Sequence, residues 1–169
     1  QIVRGAASLQ YGTQFGGLVN FIMKKPVKNK KLELLTRNTI GSNNLYTNFT
    51  SASGTIKNLS YYSFINYKNG DGFRPNSNFE SLNFFNFLKY NINNKLWVST
   101  EFTYLNYLAQ QAGGLSDQMF AEDYLQSNRS RNWFQVNWLL YNIYLNYTPT
   151  QTKTISLNLF GLNAQRNAL

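Results

Sequence analysis

Few residues of this chain could take part in catalysis. Cysteine and histidine do not occur among its 169 residues, which excludes disulfides, thiol chemistry, Cys/His zinc sites, His-based acid–base catalysis and haem held by either residue. The seven acidic residues are scattered along the chain, and no serine has a histidine base to activate it. We therefore expect that the protein is not an enzyme.

The chemistry that remains is binding by cations, amides and aromatic rings. Sixteen Lys and Arg against seven Asp and Glu give a formal net charge of +9, although only 14% of the residues are charged. Aromatic residues make up 17% of the chain, and Asn occurs 25 times. This composition suits a soluble module that stacks the bases of single-stranded nucleic acid on aromatic rings. It also suits a β-sheet wall with one apolar face and one wet face.

Alternation of apolar and polar residues dominates from residue 31 onward and predicts β-strands joined as consecutive hairpins. Seven strand candidates lie at 31–40, 45–50, 59–68, 79–90, 96–105, 133–147 and 155–159. The turns at 41–44, 54–58, 91–95 and 148–152 are short, whereas the connections near 70–77 and 110–132 are long. The parity of the sixth run slips near Leu139 and Leu140, which predicts a β-bulge there.

The lengths and ends of these runs favour a membrane barrel. Most of the runs exceed the ~5–6 residues usual in soluble proteins, and long loops on one side with short turns on the other are typical of outer-membrane barrels. No stretch reaches the ~20 apolar residues of a transmembrane helix, but a barrel strand needs only ~9–11. Aromatic residues near strand ends fit an interfacial girdle, namely Tyr46, Tyr90, Trp97, Trp133 and Tyr147. An antiparallel sandwich with an aromatic core remains the alternative.

A string of residues near the N-terminus is more specific. It begins Ile2-Val3-Arg4-Gly5, continues through Tyr11-Gly12 and ends Gly16-Gly17-Leu18-Val19-Asn20. The glycines permit positive φ angles and close backbone approach. The string resembles the C-terminal end of the plug domain of TonB-dependent outer-membrane receptors. That family has an Ile/Val-rich strand, Arg-Gly, small residues, Tyr-Gly, and then Gly-Gly-hydrophobic-hydrophobic-Asn.

The resemblance implies a mainly β fold, an antiparallel transmembrane β-barrel preceded by the end of an α+β plug domain. Residues 1–26 would be the end of the plug, residues 27–30 a linker, and residues 31–169 the N-terminal part of the barrel, with about seven strands. Such receptors have ~22 strands around a plugged lumen, so we expect the chain to be a fragment of a longer protein. The missing N-terminal part would hold the signal peptide and the segment that contacts TonB.

A second stretch resembles the third extracellular loop of ferric-citrate (dicitrate) receptors. It comprises Gly113-Gly114-Leu115-Ser116, Glu122-Asp123, Gln126-Ser127 and Arg129, and the segments 71–74 and 159–162 fall where that branch has comparable sequence. The resemblance implies TonB-dependent import of ferric dicitrate or a related siderophore across the outer membrane of a Gram-negative bacterium. The implied partners are the ferric chelate, the TonB complex, outer-membrane lipid and lipopolysaccharide, with no nucleic acid. No cofactor is expected, because the iron arrives already chelated.

Other functions stay open at this point. The plug-like string is shared by importers of different substrates, so cobalamin or a glycan could replace the ferric chelate. An adhesin or a passive porin would be a further class, although a porin would lack the plug-like string. The soluble module that binds single-stranded nucleic acid also remains, and it would require a small closed fold.

The resemblance singles out residues that could contact an anionic chelate. Guanidinium groups bind carboxylates in a bidentate manner. The candidates for substrate binding are Gln14, at the inferred plug apex, and Arg74, Arg129, Arg131 and Arg166, on the inferred outer side. Each has a structural alternative, since Arg74 could brace its loop and the pair Arg129 and Arg131 could face lipopolysaccharide phosphates. In the long loop, the rings of Phe120 and Tyr124 could wall a ligand vestibule.

The remaining charges have structural interpretations. Ion pairs between plug and barrel are expected from Arg4, Glu33, Arg37 and Glu101, although their partners cannot be assigned from sequence. Five lysines cluster around the inferred linker, namely Lys24, Lys25, Lys28, Lys30 and Lys31. By composition this run could be a nucleic-acid patch, but the inferred periplasmic location favours a solvated linker.

Overall fold

The computed structural model describes residues 2–3 and 18–169. Two short strands, β1 (Ile2–Val3) and β2 (Leu18–Val19), pair antiparallel, with Ile2 opposite Val19. Residues 4–17 lie outside the described residues. The predictions for Arg4 and Gln14, and for most of the plug-like string, fall in that stretch and stay predictions.

A single antiparallel sheet contains the rest of the chain, and its strands neighbour one another in chain order. The strands are β3 (Glu33–Ile40), β4 (Tyr46–Ile56), β5 (Leu59–Gly70), β6 (Phe79–Asn91), β7 (Leu96–Gln110), β8 (Trp133–Thr150) and β9 (Lys153–Ala168). The prediction of a mainly β fold with consecutive antiparallel strands is confirmed. Six of the strands are longer than predicted, whereas β3 is shorter. β4 is an example, because it pairs with β3 over residues 46–53 and with β5 along its whole length, and so continues through the small residues 51–54.

The connections divide the sheet into two ends. The β4–β5, β6–β7 and β8–β9 connections are tight turns at one end, which we call the short-turn end. The segments 41–45, 71–78 and 111–132 lie at the opposite, long-loop end. The short segment 41–45 uses the left-handed backbone that Asn tolerates, at Asn43 and Asn44 with φ of 56° and 54°. The longest connection contains one short helix, α1 (Asp117–Glu122).

The two faces of the sheet differ in charge. Residues paired across the register share a face, so the pairing assigns every strand residue to one side. One side, the charged face, holds six of the eight charged residues of β3–β9, namely Glu33, Arg37, Lys68, Lys89, Glu101 and Arg166. On the other side, the aliphatic face, the only charged strand residues are Glu80 and Lys153, and each lies within the first two residues of its strand.

The aliphatic face is broadly apolar and exposed. Its exposed residues include Ile65, Phe102, Ile143, Leu157 and Leu159. Four of the five predicted girdle residues lie on this face, with Tyr46 and Trp133 at the long-loop end and Tyr90 and Tyr147 at the short-turn end. Trp97 does not, because its register opposite Asn91 and Asn146 places it on the charged face, where the Lys89 ammonium lies 3.8 Å from the centre of its ring.

The buried side chains of the sheet lie on the charged face. Ser51, Ser53, Tyr62, Phe85, Ser99 and Val136 are each at most 9% exposed. Aromatic rings pack around Phe64, which lies 5.5 Å from Phe85 and 5.3 Å from Phe49, measured between ring centres. Residues 20–27 contribute to this burial, because they pass over the same face.

The predicted bulge near Leu139 is wrong. β8 pairs without interruption with β7 from Trp133 to Tyr147, which places Leu139 on the aliphatic face and Leu140 on the charged face. The parity slip arises because the charged face is itself apolar at Trp138 and Leu140. The register shift of β8 lies further along, between Tyr147 and Thr150, where β8 pairs with β9.

Candidate anion-binding site at the long-loop end

The 111–132 loop is folded by its own side chains. Ser116 caps α1 by accepting a hydrogen bond from the Met119 amide at 3.3 Å. The Ser127 hydroxyl donates to the Ala112 carbonyl at 3.1 Å, and the Asn128 side-chain amide donates to the Gly114 carbonyl at 2.6 Å. The two stems of the loop therefore lie side by side, with Gly113 between these contacts.

Gly113 has to be a glycine for this arrangement. Its φ is 79°, in the left-handed region that glycine adopts without strain. A Cβ added here would lie 1.9 Å from the Asn128 Oδ1 and 3.2 Å from the Arg129 Cδ. The side chains of Asn128 and Arg129 thus occupy the space that a larger residue would need.

The neighbouring 71–78 loop holds both stems of the 111–132 loop. The Arg74 guanidinium donates to the Gly113 carbonyl at 2.8 Å and to the Gln126 carbonyl at 3.4 Å. The Asn76 side-chain amide donates to the carbonyls of Gln111, at 2.9 Å, and Asn132, at 3.1 Å. Two side chains of one loop therefore bind four carbonyls of the other.

A cavity of about 340 Å³ lies where the two loops meet, lined by Pro75, Asn76, Gln110, Ser127, Arg129 and Ser130. Arg129 brings a permanent positive charge, and Gln110 and Ser130 add an amide and a hydroxyl, whereas the donors of Asn76 and Ser127 bind loop carbonyls. No acidic residue of the described chain lines it. This set of donors suits a ligand with anionic oxygens, because guanidinium groups form strong, charge-assisted hydrogen bonds to carboxylates.

The predicted substrate-binding residues are only partly brought together. Arg129 lines the cavity, whereas Arg74 does not line it and binds the Gly113 carbonyl. Arg131 is exposed and does not line the cavity. Arg166 lies on the charged face at the same end of the sheet, with its guanidinium carbon 4.7 Å from the centre of the Phe134 ring. Gln14 is outside the described residues.

Sequence reasoning missed the neutral members of the site. Asn76, Gln110, Ser127 and Ser130 were not predicted, because Asn and Ser are frequent throughout the chain and carry no signal singly. Asn76 alone had a local clue in the sequence, since it follows Pro75 in a loop. The structure gives it a left-handed φ of 57°. The predicted vestibule rings, Phe120 and Tyr124, are exposed and their centres are 6.2 Å apart. Their role stays a prediction.

A second tethered segment lies at the short-turn end. Residues 24–31, which we call the strap, cross the charged face and enter β3. The Val27 amide donates to the Ser53 hydroxyl at 2.9 Å, and the Thr55 hydroxyl donates to the Val27 carbonyl at 2.8 Å. The Thr55 amide donates to the Lys30 carbonyl at 2.9 Å, and the Tyr61 hydroxyl to the Lys31 carbonyl at 2.8 Å.

Lysines of the strap form ion pairs with the sheet. The Glu33 carboxylate lies 2.9 Å from the Lys30 ammonium and 3.7 Å from that of Lys24, which also lies 5.7 Å from the centre of the Tyr62 ring. The predicted pairing of Glu33 thus has partners in the predicted linker and the predicted end of the plug. Among the described residues, Arg37 and Glu101 form no salt bridge, but Glu101 lines a cavity together with residues 20–26.

Comparisons with known proteins do not identify a family for this chain. The sequence matches no protein-family model, and a search of curated proteins gives no match. Within residues 18–169 and the short β1 strand, no helix is long and apolar enough to cross a membrane. In the same residues, no three acidic, Cys or His side chains come together as a metal site.

Proposed function

We propose that the chain is part of an outer-membrane receptor that imports a ferric chelate and is driven through TonB. The observation that carries this proposal is the contrast between the two faces of a seven-stranded meander. One face is aliphatic and exposed, while the other carries most of the strand charges and lies under the strap. A barrel wall requires this division, with lipid outside and a filled, polar lumen inside.

Strand dimensions support the membrane part of the proposal. The six strands from β4 to β9 have 11 to 18 residues, at least the length a tilted strand needs to cross a bilayer, ~9–11 residues. The aromatic residues at both ends of the aliphatic face have the positions of two interfacial girdles.

Several polar groups on the aliphatic face are paired with one another. Cross-strand hydrogen bonds join Asn106 to Asn137 at 2.6 Å and Asn86 to Ser63 at 2.7 Å. Asn48 of β4 donates to Asn38 of the edge strand β3 at 2.7 Å. Lipid offers no hydrogen bonds, so polar groups that face it must find partners within the protein. This pairing supports lipid contact in spite of the high Asn content.

The cavity at the long-loop end supports an anionic ligand. On the proposed orientation this end is extracellular, and Arg129 is its substrate ligand. Ferric dicitrate, with its several carboxylates, is the chelate that this set of donors suits best. The short-turn end, where the strap enters the sheet, is then periplasmic, on the side from which TonB acts.

Uptake of radiolabelled iron tests the proposal. A receptor-deficient strain that carries the full-length gene should take up iron supplied as citrate, and uptake should stop when TonB is deleted. Arg129→Ala should reduce citrate-dependent uptake while leaving the amount of receptor in the outer membrane unchanged. Uptake from a neutral hydroxamate chelate or of cobalamin, with none from citrate, would show that the substrate is assigned wrongly. TonB-independent uptake would reject the receptor class.

A further inference from the structure

We propose that Arg74 and Asn76 are positioning residues that set the place of Arg129, and that they are not ligands of the substrate. The proposal rests on the proposed function for the identity of the ligand. Its structural part, that one loop holds the other, stands on the contacts alone.

Both terminal nitrogens of Arg74 take part in the loop contact. They donate to carbonyls 39 and 52 residues away in sequence, at Gly113 and Gln126, while the Nε is buried without a hydrogen-bond partner among the described residues. With the Nε buried and each terminal nitrogen bound to a carbonyl, only the remaining terminal N–H groups could face a ligand. Lysine could not replace it, because one ammonium does not have the fixed fork that spans two carbonyls.

Asn76 extends the same contact to the base of the loop, next to the strands. Its single side-chain amide binds the carbonyls of Gln111, where the loop leaves β7, and Asn132, where it enters β8. Arg74 binds Gly113 and Gln126, which lie further into the same two stems. The separation of the stems is thus set at two levels by one short loop.

The stems in turn set Arg129. The Arg129 Cδ lies 3.2 Å from the point where a Cβ would stand on Gly113, so it borders this glycine, whose carbonyl Arg74 binds. The Ser127 hydroxyl lies 2.6 Å from the Arg129 carbonyl oxygen and 3.1 Å from that of Ala112, between which its single proton is shared. The backbone of Arg129 is therefore linked through Ser127 to the opposite stem. Release of the Arg74 contacts would displace its guanidinium from the cavity without removing it.

A double-mutant cycle separates positioning from direct binding. Ferric citrate binding to the full-length protein is measured by titration calorimetry for Arg74→Ala, Arg129→Ala and the double variant. Each single change should weaken binding at least tenfold, and the double variant should bind no more weakly than Arg129→Ala. Losses that multiply in the double variant would mean that Arg74 contacts the chelate itself, which overturns the proposal. Arg74→Lys should resemble Arg74→Ala, whereas retained affinity would assign Arg74 a simple charge role.

Limited trypsin digestion without ligand gives a readout independent of the substrate. Trypsin cleaves after exposed Arg129 and Arg131, and Arg74→Ala or Asn76→Ala should speed cleavage there severalfold. Lys95→Ala, in a turn at the opposite end, is the matched control and should leave the rate unchanged. Unaltered cleavage in both loop variants overturns the positioning role. Faster cleavage with no binding of ferric citrate by the wild type would instead retain the loop contact and reject the proposed substrate.

Discussion

The strap and the long loop are both held through their backbone groups, but by different kinds of residue. The strap is bound by hydroxyls of Ser53, Thr55 and Tyr61, which stand on two paired strands of the sheet. The long loop is bound by Arg74 and Asn76, which stand on another loop. Ser53 is 2% exposed, whereas neither Arg74 nor Asn76 is fully buried.

This difference indicates that the strap and the long loop differ in how freely they can move relative to the sheet. Strands flanked by neighbours on both sides move only with the sheet, so the strap is fixed relative to the sheet. Two loops bound to each other lack such a support and can shift as a unit. On the proposed function, a plug that moves from the periplasmic side would need a fixed boundary there, and capture of a ligand outside would benefit from a loop unit that adjusts.

The largest effect is expected from Gly54→Ala at the strap. A Cβ at Gly54 would lie 2.1 Å from the Lys31 carbonyl oxygen, which is backbone and cannot rotate away. Overpacking of this kind costs about 3 kcal/mol, so the strap should separate from β4. Hydrogen exchange of the full-length protein should show lost protection across residues 24–31. Unchanged protection would mean that the strap does not depend on this close contact.

The next effect is expected from Gly113→Ala in the long loop. The left-handed φ and the clash with Asn128 together cost about 2 kcal/mol, less than at Gly54 because an Asn side chain can rotate. Trypsin cleavage within residues 111–132 should become faster, while protection of the strap stays unchanged. Gly114→Ala is a matched control, since a Cβ there meets nothing within 4 Å. Equal cleavage of the two variants would contradict the assigned role of Gly113.

The strands could be predicted from sequence because alternation is a local pattern. Glu33 and Arg37 share a parity that the structure places on the charged face, and the seven runs occur in the predicted order. Strand ends could not be placed equally well. Residues 51–53 lie outside the predicted strands and Gly54 lies in the predicted turn 54–58. β4 nevertheless runs through all four, because β3 pairs with residues 51–53 and β5 with residues 51–54, and this pairing depends on distant sequence.

The site was harder to predict from sequence than the strands, because it depends on contacts between loops. The importance of Arg74 could be suspected from its place before Pro75, but its partners at Gly113 and Gln126 follow only from the way two loops meet. Trp97 shows the same limit on a strand, since its position near a turn suggested the girdle while its face depended on register.

A smaller effect is expected from Ser53→Ala. This change removes the acceptor of the Val27 amide and leaves a part-buried donor unpaired, at a cost of about 1 kcal/mol. Exchange across residues 24–31 should quicken less than in Gly54→Ala, because Thr55 and Tyr61 still hold the strap. Ser99→Ala in β7 is the control for loss of a hydroxyl on the same face, since Ser99 is buried there and has no hydrogen bond to the strap. An effect as large as that of Gly54→Ala would mean that the hydroxyls, and not the close backbone contact, dominate the attachment.

The smallest effect is expected from Glu33→Gln. The carboxylate joins Lys24 and Lys30 at the surface, where solvent and salt screen the attraction. Exchange across the strap should change slightly at low ionic strength and not at physiological salt, whereas the Gly54→Ala effect should be independent of salt. A salt-dependent loss of the whole strap in Glu33→Gln would reverse the comparison, because the short-turn end would then be held by charge and would be the more easily released of the two regions.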